Sequence, residues 1–145
     1  MSDLFFEEFT NEQIAAGFGV MAACPDVDFL ILTKRPKRAG EWFTWVNRDA
    51  PIHPAQDACI HAAERIIGRS ITPVFPVWPL PNVWLGVSAE NQQTADERIP
   101  HLLATPAAVR FVSAEPLLGA LDLTHLDAER ARHPDLIVVN ALTGR

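Results

Sequence analysis

Cysteine is scarce in this sequence, and positive charge is outnumbered. Cys24 and Cys59 are the only two cysteines among 145 residues, and their separation matches no zinc or redox spacing. Each reads as a small buried apolar side chain in a reducing cytoplasm. Lys and Arg total 12 against 18 Asp and Glu, a formal net charge of −6. A general nucleic-acid binder would carry a basic face instead. No apolar run approaches the roughly 20 residues that cross a bilayer. The start, Met1-Ser2-Asp3, lacks the basic region of a signal peptide. His53, His61, His101, His125 and His133 show no HxxxH or HExxH spacing, and there is no GxSxG, GxGxxG or P-loop.

What is present is ordinary for a soluble domain: 48% hydrophobic and 21% charged residues in a length suited to one core. The organising stretch is Asn82-Val83-Trp84-Leu85-Gly86-Val87-Ser88-Ala89-Glu90-Asn91. Val83 to Val87 can sit in a strand buried on both faces, the habit of parallel sheets flanked by helices. The abrupt polar end puts Ser88, Glu90 and Asn91 where such sheets bind ligands.

The remaining elements follow in order. Thr10 and Gln13 form a capping box for a helix over Asn11 to Ala23, with Ile14, Phe18 and Met21 on one face and Gly17 and Gly19 weakening it. Asp28 to Thr33 reads as a strand, and Lys37 to Asn47 as a helix facing Trp42, Trp45 and Val46 to the core. Pro54 to Gly68 reads as a helix with Ala58, Ala62, Arg65 and Ile66 in phase and Gly68 as its stop. Residues 71–81 form a proline-rich connection that excludes a central strand and tucks Phe75 and Trp78 against the core; a PxxP ligand for a partner module is the other reading. A helix over Gln92 to Ala104 follows the organising strand. Then come a strand at Ala107 to Val112, a turn or short helix at Leu117 to Leu123, a short helix at Asp127 to His133 and a strand at Leu136 to Val139.

This alternation predicts a parallel α/β sheet of about four strands. Val-Ser-Ala-Glu occurs at Val87 to Glu90 and again at Val112 to Glu115, one βα unit later.

Four predicted strands end in polar residues: Thr33-Lys34-Arg35, Ser88 to Asn91, Ser113 to Glu115, and Asn140 with Thr143. In a parallel sheet these share one edge. Lys34 or Arg35 would meet a carboxylate or phosphate, and Glu90 or Glu115 a ribose or an amine. The competing reading is that Arg35 pairs with Glu90 or Glu115 only to satisfy the sheet edge. Lys37 and Arg38 read as a solvated helix start, and His101 as a helix-surface residue.

These same segments resemble successive blocks of a phage-associated protein family of unknown function that is similar to radical S-adenosylmethionine enzymes. The blocks are Leu32-Thr33-Lys34-Arg35-Pro36, Pro79 to Ser88 with Glu90-Asn91, Arg98-Ile99-Pro100, and Arg110 to Ser113 with Glu115 to Gly119. Ser2-Asp3-Leu4-Phe5 resembles a further block, internal to the family's chain. The resemblance implies the middle part of a larger (β/α) barrel: a single domain over residues 1–145, partial and TIM-barrel-like. Ser88 and Glu90 would contact the ribose and methionine of S-adenosylmethionine, with Asn91, Lys34, Arg35, Ser113 and Glu115 around the same mouth. A [4Fe–4S] cluster needs three closely spaced cysteines, and neither Cys24 nor Cys59 has such partners, so no cluster and no radical catalysis by this chain alone are expected. Where the family has a glycine-rich stretch this chain has Asn140-Ala141-Leu142-Thr143-Gly144, and Ala114 stands where a cysteine is common.

Two open sheet edges are therefore expected, covered by a second copy or a complementing domain. Three functions compete: a truncated radical-SAM-like domain keeping part of an S-adenosylmethionine or nucleotide pocket, a phage-derived structural or interaction module without a small-molecule ligand, and an unrelated hydrolase or transferase using Glu90 and Glu115 as acid and base.

Overall fold

In the computed structural model, which describes residues 3–47, 54–72, 78–124 and 126–139, nine elements alternate in the expected order. They are α1 (Asn11–Ala22), β1 (Phe29–Thr33), α2 (Pro36–Val46), α3 (Pro54–Ile67), β2 (Val83–Ser88), α4 (Gln92–Ala104), β3 (Val109–Ser113), α5 (Leu126–Arg132) and β4 (Leu136–Val139). The strands form one all-parallel sheet in the order β1-β2-β3-β4. Right-handed crossovers taken in sequence order deliver the connecting helices to the same face, as in a (β/α) barrel rather than a doubly wound sheet, and α1 packs there on α3. Ile31, Val83, Leu85, Val87, Val112 and Leu136 line that face and join the main core.

Local chemistry accounts for the element boundaries. Thr10 caps α1: its hydroxyl accepts from the Gln13 amide at 3.2 Å, while Gln13 Oε1 accepts from the Thr10 amide at 2.8 Å. Gly68, at φ +74°, stops α3 in the left-handed conformation, its amide donating to the Glu64 carbonyl. Phe18 stacks on Trp42 at 4.5 Å, and Phe43 and Trp78 close an aromatic cluster between α1, α2 and the segment entering β2. Trp78 is thus tucked in as expected, whereas Phe75 and the PxxP motif lie outside the described residues.

Two details differ from expectation. The buried face of α3 is Cys59, Ile60, Ala62 and Ala63, while Arg65 and Ala58 are exposed and Ile66 is 66% exposed. The helix is rotated because Gly19 of α1 meets it closely: a Cβ there would fall 2.2 Å from the Cys59 carbonyl oxygen. Gly19 is therefore a packing residue, not merely a weak point of α1. Of the turn or short helix expected at residues 117–123, the structure has a bend at Gly119 and no helix.

The edge of the sheet opposite the polar strand ends is fastened by buried polar side chains. Asn82 donates from Nδ2 to the Met21, Cys24 and Val27 carbonyls, tying the α1–β1 turn to the start of β2. Arg110, at the start of β3, donates to the Leu102 and Thr105 carbonyls, satisfying the C-terminal end of α4, and pairs with Asp135.

Candidate functional site

Each strand delivers its last residues to one edge. β2 and β3 do so in matched register: Val87 lies opposite Val112 and Ser88 opposite Ser113. The sequence echo is thus a structural pair, two equivalent strand ends side by side. Ala89 and Ala114 are both buried, but the pair diverges at the acid. Glu90 is 5% exposed and Glu115 lies on the surface.

Glu90 is the electrostatic centre. Lys34, one residue beyond β1, places Nζ 2.6 Å from Oε1, and Arg98 of α4 places Nη1 2.8 Å from Oε2. Arg98 also donates to the Ser88 carbonyl at 2.9 Å, so one guanidinium binds both the backbone and the side chain of the strand end. Burial pulls the Glu90 carboxyl up; the Lys34 hydrogen bond, a backbone amide and the charges of Arg98 and Lys34 outweigh it and hold it below the usual carboxylate range. The two cations are unlike. Lys34's side chain is 56% exposed and Arg98's 15%, which makes Arg98 a structural partner and Lys34 an exchangeable one.

Arg35 does not join this cluster, nor does it pair with Glu90 or Glu115. Its Nη1 reaches Asp3 at 3.2 Å, its Nε reaches Glu7 at 2.6 Å, and its guanidinium lies 4.9 Å from the Phe6 ring centre. The Glu7 hydrogen bond raises the Arg35 pKa and lowers that of Glu7. Asp3 is the hub of this second network, accepting from the Thr33 hydroxyl at 2.8 Å and from the Lys34 amide at 2.9 Å. It thereby fixes the chain direction from which Lys34 projects toward Glu90.

Asn91 has a local task as well. Its side chain accepts from the Thr94 amide at 3.0 Å and caps α4, while Thr94 Oγ1 accepts from the Glu90 and Asn91 amides. The segment after β3 crosses the end of β2: the Leu118 amide donates to the Glu90 carbonyl at 2.7 Å, and the Asp122 amide to Gln92 Oε1 at 2.8 Å. Ser88 is 2% exposed; Ser113 is more accessible. Asn140 and Thr143 lie outside the described residues.

Beside Lys34 a cleft of about 340 Å³ lies between the first half of α2 and the middle and later turns of α4. Lys34, Arg35, Lys37, Arg38 and His101 line it together with Glu7, Glu41 and Glu97, a mixed-charge lining suited to a zwitterion or a small anion. Two residues of the site had weak signals in sequence. Arg98 stands eight positions after Glu90, two helical turns away, with nothing local to mark its role. Asp3 lies in an acidic N-terminal stretch, about 30 residues from the groups it binds.

No curated protein and no solved structure matches the chain. A family model does match, over residues 1–144, and the chain belongs to that family, described as a protein of unknown function, DUF5131.

Proposed function

We propose that this chain is a ligand-binding domain of radical-SAM-like ancestry, keeping part of an S-adenosylmethionine or nucleotide pocket at the C-terminal ends of its strands and performing no radical chemistry alone. One observation carries the reading. A buried, ionised carboxylate, Glu90, is shared between a fixed cation, Arg98, and an exposed one, Lys34, beside a mixed-charge cleft. A buried acid at a strand end of a parallel sheet is where such folds place binding groups.

In this reading the carboxylate or phosphate of an incoming ligand takes Lys34. Glu90, kept charged by Arg98, then accepts from the ligand's ammonium or ribose hydroxyls, and Ser113 offers a hydroxyl at the neighbouring strand end. The kinship with radical-SAM enzymes and the phage association rest on the sequence blocks alone. A three-cysteine cluster does not fit a chain with two cysteines, and no step is assigned to one.

The test is a thermal melt with and without S-adenosylmethionine. Ligand at ~100 times its dissociation constant adds roughly 2.7 kcal/mol to the folded state, an upward shift that Glu90→Ala should abolish. An unmoved parent melt, or equal shifts in parent and variant, would remove the reading.

A second reading, a structural or interaction module, is favoured by one feature: the apolar sheet face opposite the helices is open, with Leu30 62% exposed.

A further inference from the structure

The cations of the cleft beside Lys34 differ in what holds them. Lys34 is paired with Glu90, and Arg35 with Asp3 and Glu7. Lys37 and Arg38, the second and third residues of α2, have no carboxylate at ion-pair distance among the described residues. The Arg38 guanidinium donates to the neutral Asn11 side chain at 2.6 Å, and Lys37 is exposed.

Both stand where a helix tolerates cations least. The first turn carries a partial positive charge and favours acids, yet α2 has no acid there. Two uncompensated cations in that turn weaken the helix, and such local conflicts gather at functional sites.

A carboxylate already lies in the same cleft. Glu7 lines it and accepts from Arg35 Nε at 2.6 Å. Its side chain is 65% exposed, against 14% for Asp3, the guanidinium's other carboxylate partner. So exposed an ion pair is weak and exchangeable. Asp3 and the Phe6 ring, 4.9 Å away, keep Arg35 in position when Glu7 leaves.

We propose that this cleft binds a phosphate monoester, whose phosphate takes Arg35, Lys37 and Arg38 in place of Glu7. A phosphate monoester carries about −1.5 to −2 charges near neutral pH and offers three strong acceptor oxygens. It therefore satisfies three cationic donors where the tethered Glu7 carboxylate satisfies one.

The rest of the lining restricts the other half of the ligand. Glu41 and Glu97 line the cleft with no cation paired to either among the described residues. They repel a second phosphate and accept from hydroxyl or amino groups. The volume, about 340 Å³, lies at the small end for ligand pockets. A single phosphate on a hydroxylated or amino-bearing body, as in a nucleoside monophosphate, meets both limits. This site rests on the ligand reading above and deepens it: the ligand's anionic half is a phosphate and not a carboxylate.

Isothermal titration of the full chain at low salt tests this with adenosine 5′-monophosphate, adenosine and inorganic phosphate. A chain of net charge −6 repels anions as a whole, so phosphate uptake reports a local site. The monophosphate should bind at least about tenfold tighter than adenosine, the worth of one charge-assisted hydrogen bond or more. Adenosine bound as tightly, or no binding of the monophosphate, would overturn the proposal. Inorganic phosphate bound as tightly as the monophosphate would overturn the monoester in favour of the free anion.

Two exposed substitutions move affinity in opposite directions. Lys37→Gln should weaken the monophosphate about tenfold, and Glu7→Gln should tighten it about two- to fivefold by removing the competing carboxylate. Glu8→Gln removes the same charge from an exposed neighbour outside the lining and should change nothing. Equal tightening by Glu7→Gln and Glu8→Gln, or none by Glu7→Gln, would refute the place-holding role. Thermal melts of the three variants check that each keeps the parent fold. S-adenosylmethionine, which has a carboxylate and no phosphate, separates the two readings. A melt raised by it beside a monophosphate that does not bind would end the phosphate site and leave the ligand reading standing, and failure of both ligands would end both.

Discussion

Phe111 fills the space that a side chain at Gly86 would need. The two residues are register partners across β2 and β3, and a Cβ at Gly86 would fall 2.4 Å from the phenyl ring. Gly19 makes a tighter approach, 2.2 Å, to the backbone carbonyl of Cys59. The nature of the obstacle decides the cost. The end of a phenyl ring can swing toward the open sheet face, whereas relieving Gly19 means moving α1 away from α3. Gly86→Ala should destabilise by about 1 kcal/mol and Gly19→Ala by up to about 3 kcal/mol, overpacking costs at the two ends of the usual range. Alanine's helix preference, about 1 kcal/mol over glycine, offsets only part of the second. Urea midpoints check the order, and a Gly19→Ala chain as stable as the parent would contradict the close packing.

Cys59 reports on the same contact. Burial pushes its thiol up to about 12, so near pH 8 it stays protonated and shielded, while Cys24 is half-buried. With a thiol-reactive dye the native chain should lose one thiol and the urea-unfolded chain two. Gly19→Ala should speed labelling of Cys59 by loosening the α1–α3 seam. Rapid reaction of both thiols in the native parent would show that the seam is not closed.

The fold was legible where a local pattern sufficed. Continuous apolar runs gave β2 and β4, the Thr10–Gln13 box gave the start of α1, and Gly68 marked the end of α3 to within a residue. The Val-Ser-Ala-Glu echo foreshadowed a pairing that the structure realises in register. Legibility failed where the deciding partner is distant. The phase of α3 could not be read from Ala58, Ala62 and Ile66, because a glycine on another helix selects the buried face. The site was half legible. Lys34 and Glu90 come together, but Arg35 is claimed by Asp3 and Glu7, and Arg98 takes the place assigned to it. Four cations and several carboxylates near one sheet edge allow many pairings, and only the three-dimensional path of the N-terminal segment selects among them.

Glu90 links stability to pH in a direction that follows from its environment. Its folded carboxyl sits below the ordinary 4.5, so as the pH falls the unfolded chain takes up a proton first. The stabilisation it supplies is complete above the ordinary value and fades as the pH drops through the folded one. Glu90→Gln removes the charge and leaves Arg98, largely buried, without its carboxylate. Breaking a buried ion pair costs about 3–5 kcal/mol. The lower end applies here, since the exposed Lys34 regains water. Urea unfolding of parent and variant, stepped from neutral pH toward acid, should show a gap of about 3 kcal/mol that narrows below the ordinary carboxylate range. Glu7 and Glu64 also titrate low, but both chains carry them, so their contributions cancel in the difference. Curves that stay parallel into acid would mean that Glu90 is not held charged by Lys34 and Arg98. A variant as stable as the parent at neutral pH would mean that the network is not stabilising, and the exchange of Lys34 from Glu90 to a ligand would lose its basis.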